Sequence, residues 1–441
     1  MNKKLFIILM ILTVICVLLL AVGCDKQTDE LPDNDNGSFS GDTGNNINSG
    51  DNTQDHIHTY ANEWSSDKQY HWRASTCEHD LTADKAQHSF DDNGMCSICK
   101  YYTTYGFTFI LNSDNQYYII TGLEDDNDDN QIIIPSSYSG KPVTAIYKNA
   151  FKDCVNLTSI SIPASITSIG QGAFDGCKGL AGVYITDMLS WLNILFQGND
   201  SNPLDYAKHL YLNNQLVTQL TIPKELHSFN ITSISNCADL TGITVEEQNP
   251  TFKSDGNCLI EKETNRLVFG CKNSVIPSYV TKIGSAAFEG CKGLTSVEIP
   301  SSVEYIGFDA FRNCSDLTTV KIQPGLTHIY DGAFQNCSNL KDIDLPQGLT
   351  DIGFQAFYGC KSLTSVNIPT GTQNIRSGAF AYCNNLTSVT IPVGVVKIES
   401  HAFLMCNTLT LYCAEQSKPN NWDDTWNSGR LVEWGYDMNQ F

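Results

Sequence analysis

The segment VTKIGSAAFEGCKGLTSVEIPSS at residues 280–302 decides the fold, because the chain repeats its pattern at a constant step in the segments that follow. These are VEYIGFDAFRNCSDLTTVKIQPG at 303–325, LTHIYDGAFQNCSNLKDIDLPQG at 326–348 and LTDIGFQAFYGCKSLTSVNIPTG at 349–371. Each has an isoleucine, an Ala-Phe pair, a cysteine and an apolar triad at fixed positions. Such a repeat is typical of a solenoid, in which stacked coils bury a core that no single coil can bury.

The apolar triad of each segment predicts a short strand with one buried face. Val297 and Ile299 are two residues apart, which is the period of a strand, and Leu294 enters the core just before them. Pro300 ends the strand, because proline cannot donate a hydrogen bond to a sheet ladder. The stretch around Ile306 is a second extended piece, and the Ala-Phe pair fills the far side of the coil. The prediction is a mainly β solenoid built of short strands.

The cysteines follow the same step, since one recurs at the same position of every segment from Cys291 to Cys406. Adjacent coils lie within reach of a disulfide in principle. Disulfides between coils would have to join them in pairs, however, and nothing in the pattern alternates in pairs. The sequence therefore predicts free, buried thiols that act as small apolar residues.

Residues 186–277 keep the apolar spacing only in part, and this stretch is predicted to contain a hairpin insertion. Two apolar runs, at 258–260 and 267–269, are separated by the turn-forming residues Thr264 and Asn265. Cys258 and Cys271 flank the insertion, and a disulfide between them is the alternative to two free thiols.

The first residues predict the compartment. Lys3 and Lys4 precede an apolar run, and small residues then lead to Cys24, which is the layout of a secretory signal. The segment resembles a bacterial lipoprotein signal, in which the cysteine carries the lipid anchor, although Ala21 stands where leucine is usual. The alternative is an uncleaved transmembrane anchor. Both place the remaining chain outside the cell, with a signal peptide at 1–23 and a disordered tether at 24–55 that is too poor in apolar residues to form a core.

A small Cys/His-rich module is predicted at 56–102. Cys96 and Cys99 form a C-x-x-C pair of the kind that binds zinc, and Cys77 with His88, or alternatively with His79, would complete four ligands. The alternative is a disulfide within the module. The predicted zinc is structural, since no HExxH arrangement is present, and no cofactor is predicted for function.

The motif LxxVxIPxxVxxIGxxAFxxC, found in phase over 280–406, resembles the bacterial surface leucine-rich repeats of the BspA type. The resemblance implies a curved solenoid and adhesion to host matrix proteins or to other bacteria. Residues 103–142 resemble the N-terminal β entry, 143–412 the solenoid and 413–441 the C-terminal cap. Trp422, Trp426 and Trp434 are predicted to pack within that cap, with stacking on a sugar as the alternative.

The residues between the buried positions of each strand are predicted to form the ligand-binding face. They vary in charge and shape from coil to coil, while the core positions barely change. The predicted binding residues are Tyr184, Lys282, Glu298, Tyr305, Lys321, His328, Asp344, Asp351, Asn367, Asn374 and Lys397. Other residues predicted to point outward are Ser159, Ser161, Gly182, Ser296, Thr319, Asp342, Ser365, Ser388 and Thr390. The alternative is a solvated surface without a partner.

The formal net charge of −21 argues against binding nucleic acid, whose phosphates attract clustered lysine and arginine. No nucleophile elbow, paired carboxylate or matched Cys and His predicts an enzyme. The predicted function is therefore a cell-surface binding or adhesion protein. Its partner would be a protein or a glycan at a host or bacterial surface, and it would meet the membrane only through its lipid anchor. The alternatives are an envelope spacer without a ligand and, ranked last, an enzyme on a repeat scaffold.

Overall fold

The computed structural model of the chain describes residues 60–61, 65–66, 70–76, 82–87, 98, 106–124, 130–198 and 200–437. The predicted signal peptide, the tether and the lipid-anchor residue Cys24 lie outside these residues, as does most of the predicted Cys/His module. Strands β1 (Ser65–Ser66), β2 (Tyr70–Ala74) and β3 (Thr82–Gln87) pair as an antiparallel sheet.

The first coils begin with an antiparallel hairpin that passes into parallel strands. The strands are β4 (Phe107–Leu111), β5 (Tyr118–Leu123), β6 (Gln131–Ile133), β7 (Ser137–Tyr138), β8 (Lys141–Ile146), β9 (Ser159–Ile162), β10 (Ser168–Ile169), β11 (Gly182–Ile185), β12 (Leu195–Phe196), β13 (Leu210–Leu212) and β14 (Gln215–Leu216). Two sheets result, with orders β12-β10-β8-β5-β4 and β14-β13-β11-β9-β6. Each coil thus contributes one strand to each of two sheets.

Two short helices lie in this region, α1 (Met188–Leu192) and α2 (Leu204–Ala207). The carboxylate of Asp187 caps α1 by accepting a hydrogen bond from the Ser190 N–H at 2.6 Å. Within the described part of the chain, no helix has the length and apolar character needed to cross a membrane.

The middle of the chain contains β15 (Gln219–Ile222), a 3₁₀ turn at Ile231–Ser233, β16 (Gly242–Val245), β17 (Phe252–Asp255), β18 (Cys258–Glu261) and β19 (Arg266–Gly270). Strands β17, β18 and β19 pair antiparallel in sequence order, and β19 is then parallel to the next coil. Successive side chains of a strand point to opposite faces. Accordingly Leu259 packs into the core that begins at Phe107, whereas Cys258 and Ile260 pack into the core that ends at Trp426. The hairpin is a buried partition between the two cores.

The regular coils follow, with strands of two kinds that alternate along the chain. They are β20 (Lys282–Ile283), β21 (Ser296–Ile299), β22 (Tyr305–Ile306), β23 (Thr319–Ile322), β24 (His328–Ile329), β25 (Asp342–Ile343), β26 (Asp351–Ile352), β27 (Ser365–Asn367), β28 (Asn374–Ile375), β29 (Ser388–Ile391), β30 (Lys397–Ile398), β31 (Thr410–Cys413) and β32 (Leu431–Trp434). We call the solvent side of β21, β23, β25, β27, β29 and β31 the front face. The solvent side of β20, β22, β24, β26, β28 and β30 is the side face. The prediction of a mainly β leucine-rich-repeat solenoid is confirmed.

The Ala-Phe pairs form turns whose rings stack through the core. The rings of Phe288, Phe311, Phe334, Phe357, Phe380 and Phe403 are fully buried, with neighbouring centroids 4.9 to 5.6 Å apart and planes within 6° of parallel. Backbone bonds accompany the stack, such as the one from the Phe311 N–H to the Ala333 carbonyl at 2.7 Å. Stacking of this kind adds to the burial of apolar area.

The cysteines form a ladder of thiols beside the rings. The Cys337 thiol donates to the Phe311 carbonyl at 3.1 Å, and the Cys360 thiol donates to the Phe334 carbonyl at 3.3 Å. All described cysteines are free, including Cys258 and Cys271, as the sequence predicted. Burial raises the pKa of Cys337 to about 12. These thiols are therefore small core residues that satisfy a carbonyl, and they are not reactive groups.

Trp422 and Trp426 are buried at the C-terminal end, and the Trp422 indole N–H donates to the Val395 carbonyl at 3.0 Å. Trp434 packs against both rings, with centroids 6.1 and 6.2 Å away. The prediction that these tryptophans serve the core is confirmed, and the sugar-stacking alternative is wrong for the two buried rings.

The ring stack gives a stability prediction. Replacing Phe357 by alanine should lower the free energy of unfolding by about 3–5 kcal/mol, because it opens a cavity in the stack. Phe354 lies three residues earlier and is 45% exposed, so Phe354→Ala should change stability by no more than about 0.5 kcal/mol. Urea denaturation of the two variants measures the difference, and equal losses would show that the stack does not hold the coils together.

The thiol ladder gives a prediction of reactivity. At pH 8 a thiol with a pKa of about 12, such as that of Cys337, is ionised to about one part in ten thousand. Iodoacetamide should therefore label Cys337 only after the chain is unfolded in guanidinium, as read by peptide mass spectrometry. The unfolded chain releases thiol protons above about pH 9 while the folded chain keeps them, so the free energy of unfolding should fall as the pH rises. Rapid labelling of Cys337 in the folded protein contradicts this account.

Candidate functional site: the outward faces of the solenoid

The residues predicted to bind a ligand all retain solvent-exposed area. The structure divides them between two surfaces. Tyr184, Glu298, Lys321 and Asn367 lie on strands that carry the apolar triad, and Asp344 directly follows such a strand. All of these except Tyr184 belong to the front face. The side face carries Lys282, Tyr305, His328, Asp351, Asn374 and Lys397.

The front face is polar, and one ion pair links two of its neighbouring strands. Lys321 Nζ lies 3.1 Å from Glu298 Oε1, to which the Gln323 amide also donates at 2.6 Å. These hydrogen bonds, first from Gln323 and then from Lys321, lower the pKa of Glu298. An exposed pair of this kind contributes little to stability and leaves little free charge for a ligand.

Two residues predicted to point outward are buried, which corrects the sequence analysis. Gly182 lies beneath the Tyr184 ring, and a Cβ at this glycine would be 3.0 Å from Tyr184 Cε2. The Tyr184 ring also stacks on that of Tyr211, with centroids 4.5 Å apart. Thr390 is 5% exposed, pairs in register with Tyr412 and donates its hydroxyl to Asn367 Oδ1 at 2.9 Å. The alternation of side chains along a strand predicts which face of the sheet a residue lies on. A large neighbouring side chain then determines whether a small residue on the outer face is exposed to solvent.

The side face places its residues in one column, because β20, β22, β24, β26, β28 and β30 pair in parallel and in register. Lys282 Nζ lies over the Tyr305 ring, 5.4 Å from its centroid. His328 Nε2 lies 3.6 Å from Asp351 Oδ2, and the Asn374 amide donates to Asp351 Oδ1 at 2.9 Å. Neighbours in the column therefore contact one another along the solenoid.

Four rings form a cluster at the centre of the side face, and we call Tyr305, Phe308, His328 and Tyr330 the aromatic patch. The Tyr330 ring lies nearly parallel to those of Phe308 and His328, with centroids 5.0 and 5.9 Å away. Tyr305 meets Tyr330 edge-on at 5.4 Å. Phe308 is 49% exposed, and the other three rings are partly exposed. The cluster is apolar, self-packed and open to solvent.

Phe308 and Tyr330 were missed by the sequence analysis, although the sequence carries a signal for each. Tyr330 stands where the preceding and following coils have Gly307 and Gly353. At the position of Phe308 the other regular coils have Ser285, Asp331, Phe354, Ser377 and Ser400. Comparing each position with its equivalents in the neighbouring coils would have shown two large rings that the core does not require.

Carboxylates border the patch on one side. Asp331 follows Tyr330 directly, and its Oδ1 accepts a hydrogen bond from the Phe354 N–H at 2.8 Å. Asp351 lies beyond His328 on the next strand. Among the residues that the structure describes, no lysine or arginine nitrogen lies within 4.0 Å of either carboxylate. The side face therefore combines exposed rings with negative charge that no lysine or arginine neutralises.

One small cavity lies inside the described part of the solenoid. A cavity of about 10 Å³ beside Cys237, Glu289 and Cys291 has space for roughly one water molecule. Burial raises the pKa of Glu289 and raises that of Cys291 to about 12. A substrate cannot enter this space, and the outward faces remain the surfaces that a partner can reach.

The predicted zinc ligands Cys77, His88, Cys96 and Cys99 lie outside the described residues. Within the described ranges, no group of three or more His, Cys, Asp or Glu side chains is placed to hold a metal ion. Zinc in the Cys/His module remains a prediction from the sequence.

Comparison with known families gives a match in the repeats. The model of the BspA type leucine-rich repeat region matches residues 143–257 and 260–383, in six copies that together cover more than half of the chain. A comparison with curated proteins gives no match.

Several solved structures are similar to this chain. A leucine-rich cell surface protein of Faecalibacterium prausnitzii is 24% identical over 77% of this chain and 96% of its own, with a TM-score of 0.40. A leucine-rich repeat protein of Eubacterium ventriosum is 20% identical over 74% of this chain and 97% of its own, with a TM-score of 0.43. The pneumococcal vaccine antigen PcpA is 17% identical over 86% of this chain and 98% of its own, with a TM-score of 0.42.

Proposed function

Because this chain belongs to the BspA type leucine-rich repeat family, we propose that it is an adhesion protein that binds a partner through the outward faces of its solenoid. The observation that carries the proposal is the aromatic patch. Exposed, packed rings cost solvation free energy in the free protein, and nothing in the core requires them. The partner is a protein or a glycan at a host or bacterial surface.

The composition of the patch supports a binding role. The buried centres of protein interfaces are enriched in tyrosine and phenylalanine, and a few such residues carry most of the binding free energy. Phe308 and Tyr330 are of this kind, and they are supported by coils whose backbone is fixed on both sides. A rigid support reduces the entropy lost on binding.

We propose a location at the extracellular face of the cell membrane, with the lipid anchor on Cys24. The support is the charged, apolar and small-residue order of the first residues. The tether at 24–55 would hold the solenoid away from the lipid surface. The proposed role involves no catalysis and no functional cofactor.

Removing two rings of the aromatic patch should weaken binding while leaving the fold intact. The double variant Phe308→Ser and Tyr330→Gly gives each position a residue that other coils already have there, so folding should be kept. Binding of the full chain to wells coated with basement-membrane extract, to whole bacteria of other species and to a glycan array should be saturable. The double variant should lose at least tenfold in affinity for whichever surface binds.

Tyr147 provides the matched control. Tyr147 precedes Gly170 by one repeat length, just as Tyr330 precedes Gly353, so it occupies the equivalent position in the first coil. Its side chain is 44% exposed. Tyr147→Gly should leave the affinity within about twofold. Binding that survives loss of the patch would place the site elsewhere, and an unmodified chain that binds none of these surfaces would favour the envelope spacer.

The anchor is tested by Cys24→Ala. The unmodified chain should remain with the membrane fraction of its host and be labelled by a radioactive fatty acid. The variant should lose the label, because no thiol remains at the acylated position. A chain that is never labelled but stays in the membrane would support the transmembrane alternative.

A further inference from the structure

We propose that the aromatic patch binds a basic protein segment, and that an arginine or lysine of this segment pairs with Asp331 and Asp351. The inference rests on the proposed function, because it names the partner class of the same surface.

The two carboxylates are held in place for such a contact. Asp331 is fixed by the bond from the Phe354 N–H at 2.8 Å, and Asp351 by the bond from the Asn374 amide at 2.9 Å. An ionised carboxylate offers about four lone-pair sites, so one such bond leaves it able to accept more. Both groups are partly exposed, and the Asp351 side chain keeps 20% of its area.

Rings stand on both sides of Asp331. Phe308, Asp331 and Phe354 occupy the same position in three consecutive coils, and the two phenylalanines are 49% and 45% exposed. A cation above a ring gains electrostatic energy, and arginine in addition stacks its plane on the ring and forms paired hydrogen bonds to carboxylate. Lys282, whose nitrogen lies over Tyr305, shows that a ring of this face already accepts a cation within the chain.

The packing of the rings disfavours a glycan as the main partner. A sugar ring stacks on an open aromatic face. The Tyr330 ring packs against two nearly parallel neighbours, Phe308 and His328, with which a sugar would have to compete. A protein segment with protruding side chains fits between the ring edges and the carboxylates more closely than a flat sugar ring does.

The charge of the whole chain acts in the same direction. A net charge of −21 attracts basic partners at long range and repels acidic ones. This attraction is screened by salt, whereas the local contact at Asp331 and Asp351 is screened less once water is excluded. The two contributions can therefore be separated by experiment.

The test uses the full chain and immobilised peptides that differ at one central residue. That residue is arginine, lysine, glutamine or glutamate, and leucine and phenylalanine flank it. The arginine peptide should bind at least tenfold more tightly than the glutamine peptide, with lysine between them and no binding of glutamate. In the double variant Asp331→Asn and Asp351→Asn, which keeps both hydrogen-bond acceptors, the preference for arginine over glutamine should fall below threefold.

The matched control is Asp114→Asn with Glu247→Gln. These two carboxylates are exposed and belong neither to the aromatic patch nor to the predicted binding residues, so this variant changes the net charge equally. It should keep the tenfold preference. If both double variants lost the preference for arginine equally, long-range attraction alone would explain that preference, and the inference would be overturned.

Two further outcomes separate this inference from the proposed function. Binding of a neutral glycan that is lost in Tyr330→Gly would overturn the basic partner and keep the binding role. Failure of every peptide to bind would overturn the inference as well, while the binding assays with coated wells and whole bacteria judge the proposed function independently.

Discussion

The structure depends on the burial of each coil's apolar side chains by the coils before and after it. A single coil has a Phe ring, a thiol and an apolar triad on its inner side and nothing of its own to cover them. The constant length of the regular coils brings equivalent residues into contact, and ladders of like groups therefore run along the solenoid. The rings of Phe311 and Phe334 stack at 5.1 Å, and the Thr350 hydroxyl donates to the Thr327 carbonyl at 3.0 Å. Ser365 pairs with Ser388, 23 residues on, and Ser388 pairs with Thr410, 22 residues on, so the ladder persists where a turn absorbs the difference in length.

The strand register that aligns the core residues of adjacent coils also constrains their exposed side chains. An outward side chain must fit between its equivalents in the two neighbouring coils, but it has no part in burying the core. Charge and shape can thus vary there at small cost in stability. The contact of His328 with Asp351, and of Lys282 with Tyr305, arises only because these unrelated residues occupy equivalent positions in adjacent coils. A repeat scaffold therefore assembles a surface from residues far apart in sequence without a dedicated loop.

Much of the fold was predictable from the sequence, because a pattern that recurs in many segments is more specific than the pattern of any single segment. The strand at Ser296–Ile299, its end before Pro300 and the buried thiols all follow from spacing and residue type. The burial of Gly182 and Thr390 does not follow, since it depends on large neighbouring side chains and not on which side of the strand a residue lies. The predicted row of outward residues included Tyr305 and His328 but did not include Phe308 and Tyr330. Those two lie after the strand, where the pattern specifies a turn and says nothing of which side chains meet.

Close packing of the backbone also limits the size of the aromatic patch, so the patch is a discrete site. At the position of Tyr330 the coils approach closely, so that a Cβ on Gly353 would lie 2.5 Å from the Tyr330 carbonyl carbon. A Cβ on Gly307 would lie 2.8 Å from the Gly284 carbonyl carbon. Without local adjustment of the backbone, a side chain is therefore excluded from the glycines on either side of Tyr330. The large ring at 330 stands alone in its column and takes its neighbours from the two columns beside it. An aromatic stripe along the whole solenoid would expose stacked rings in every coil and favour aggregation, whereas this cluster is bordered by glycine and aspartate and keeps a limited size.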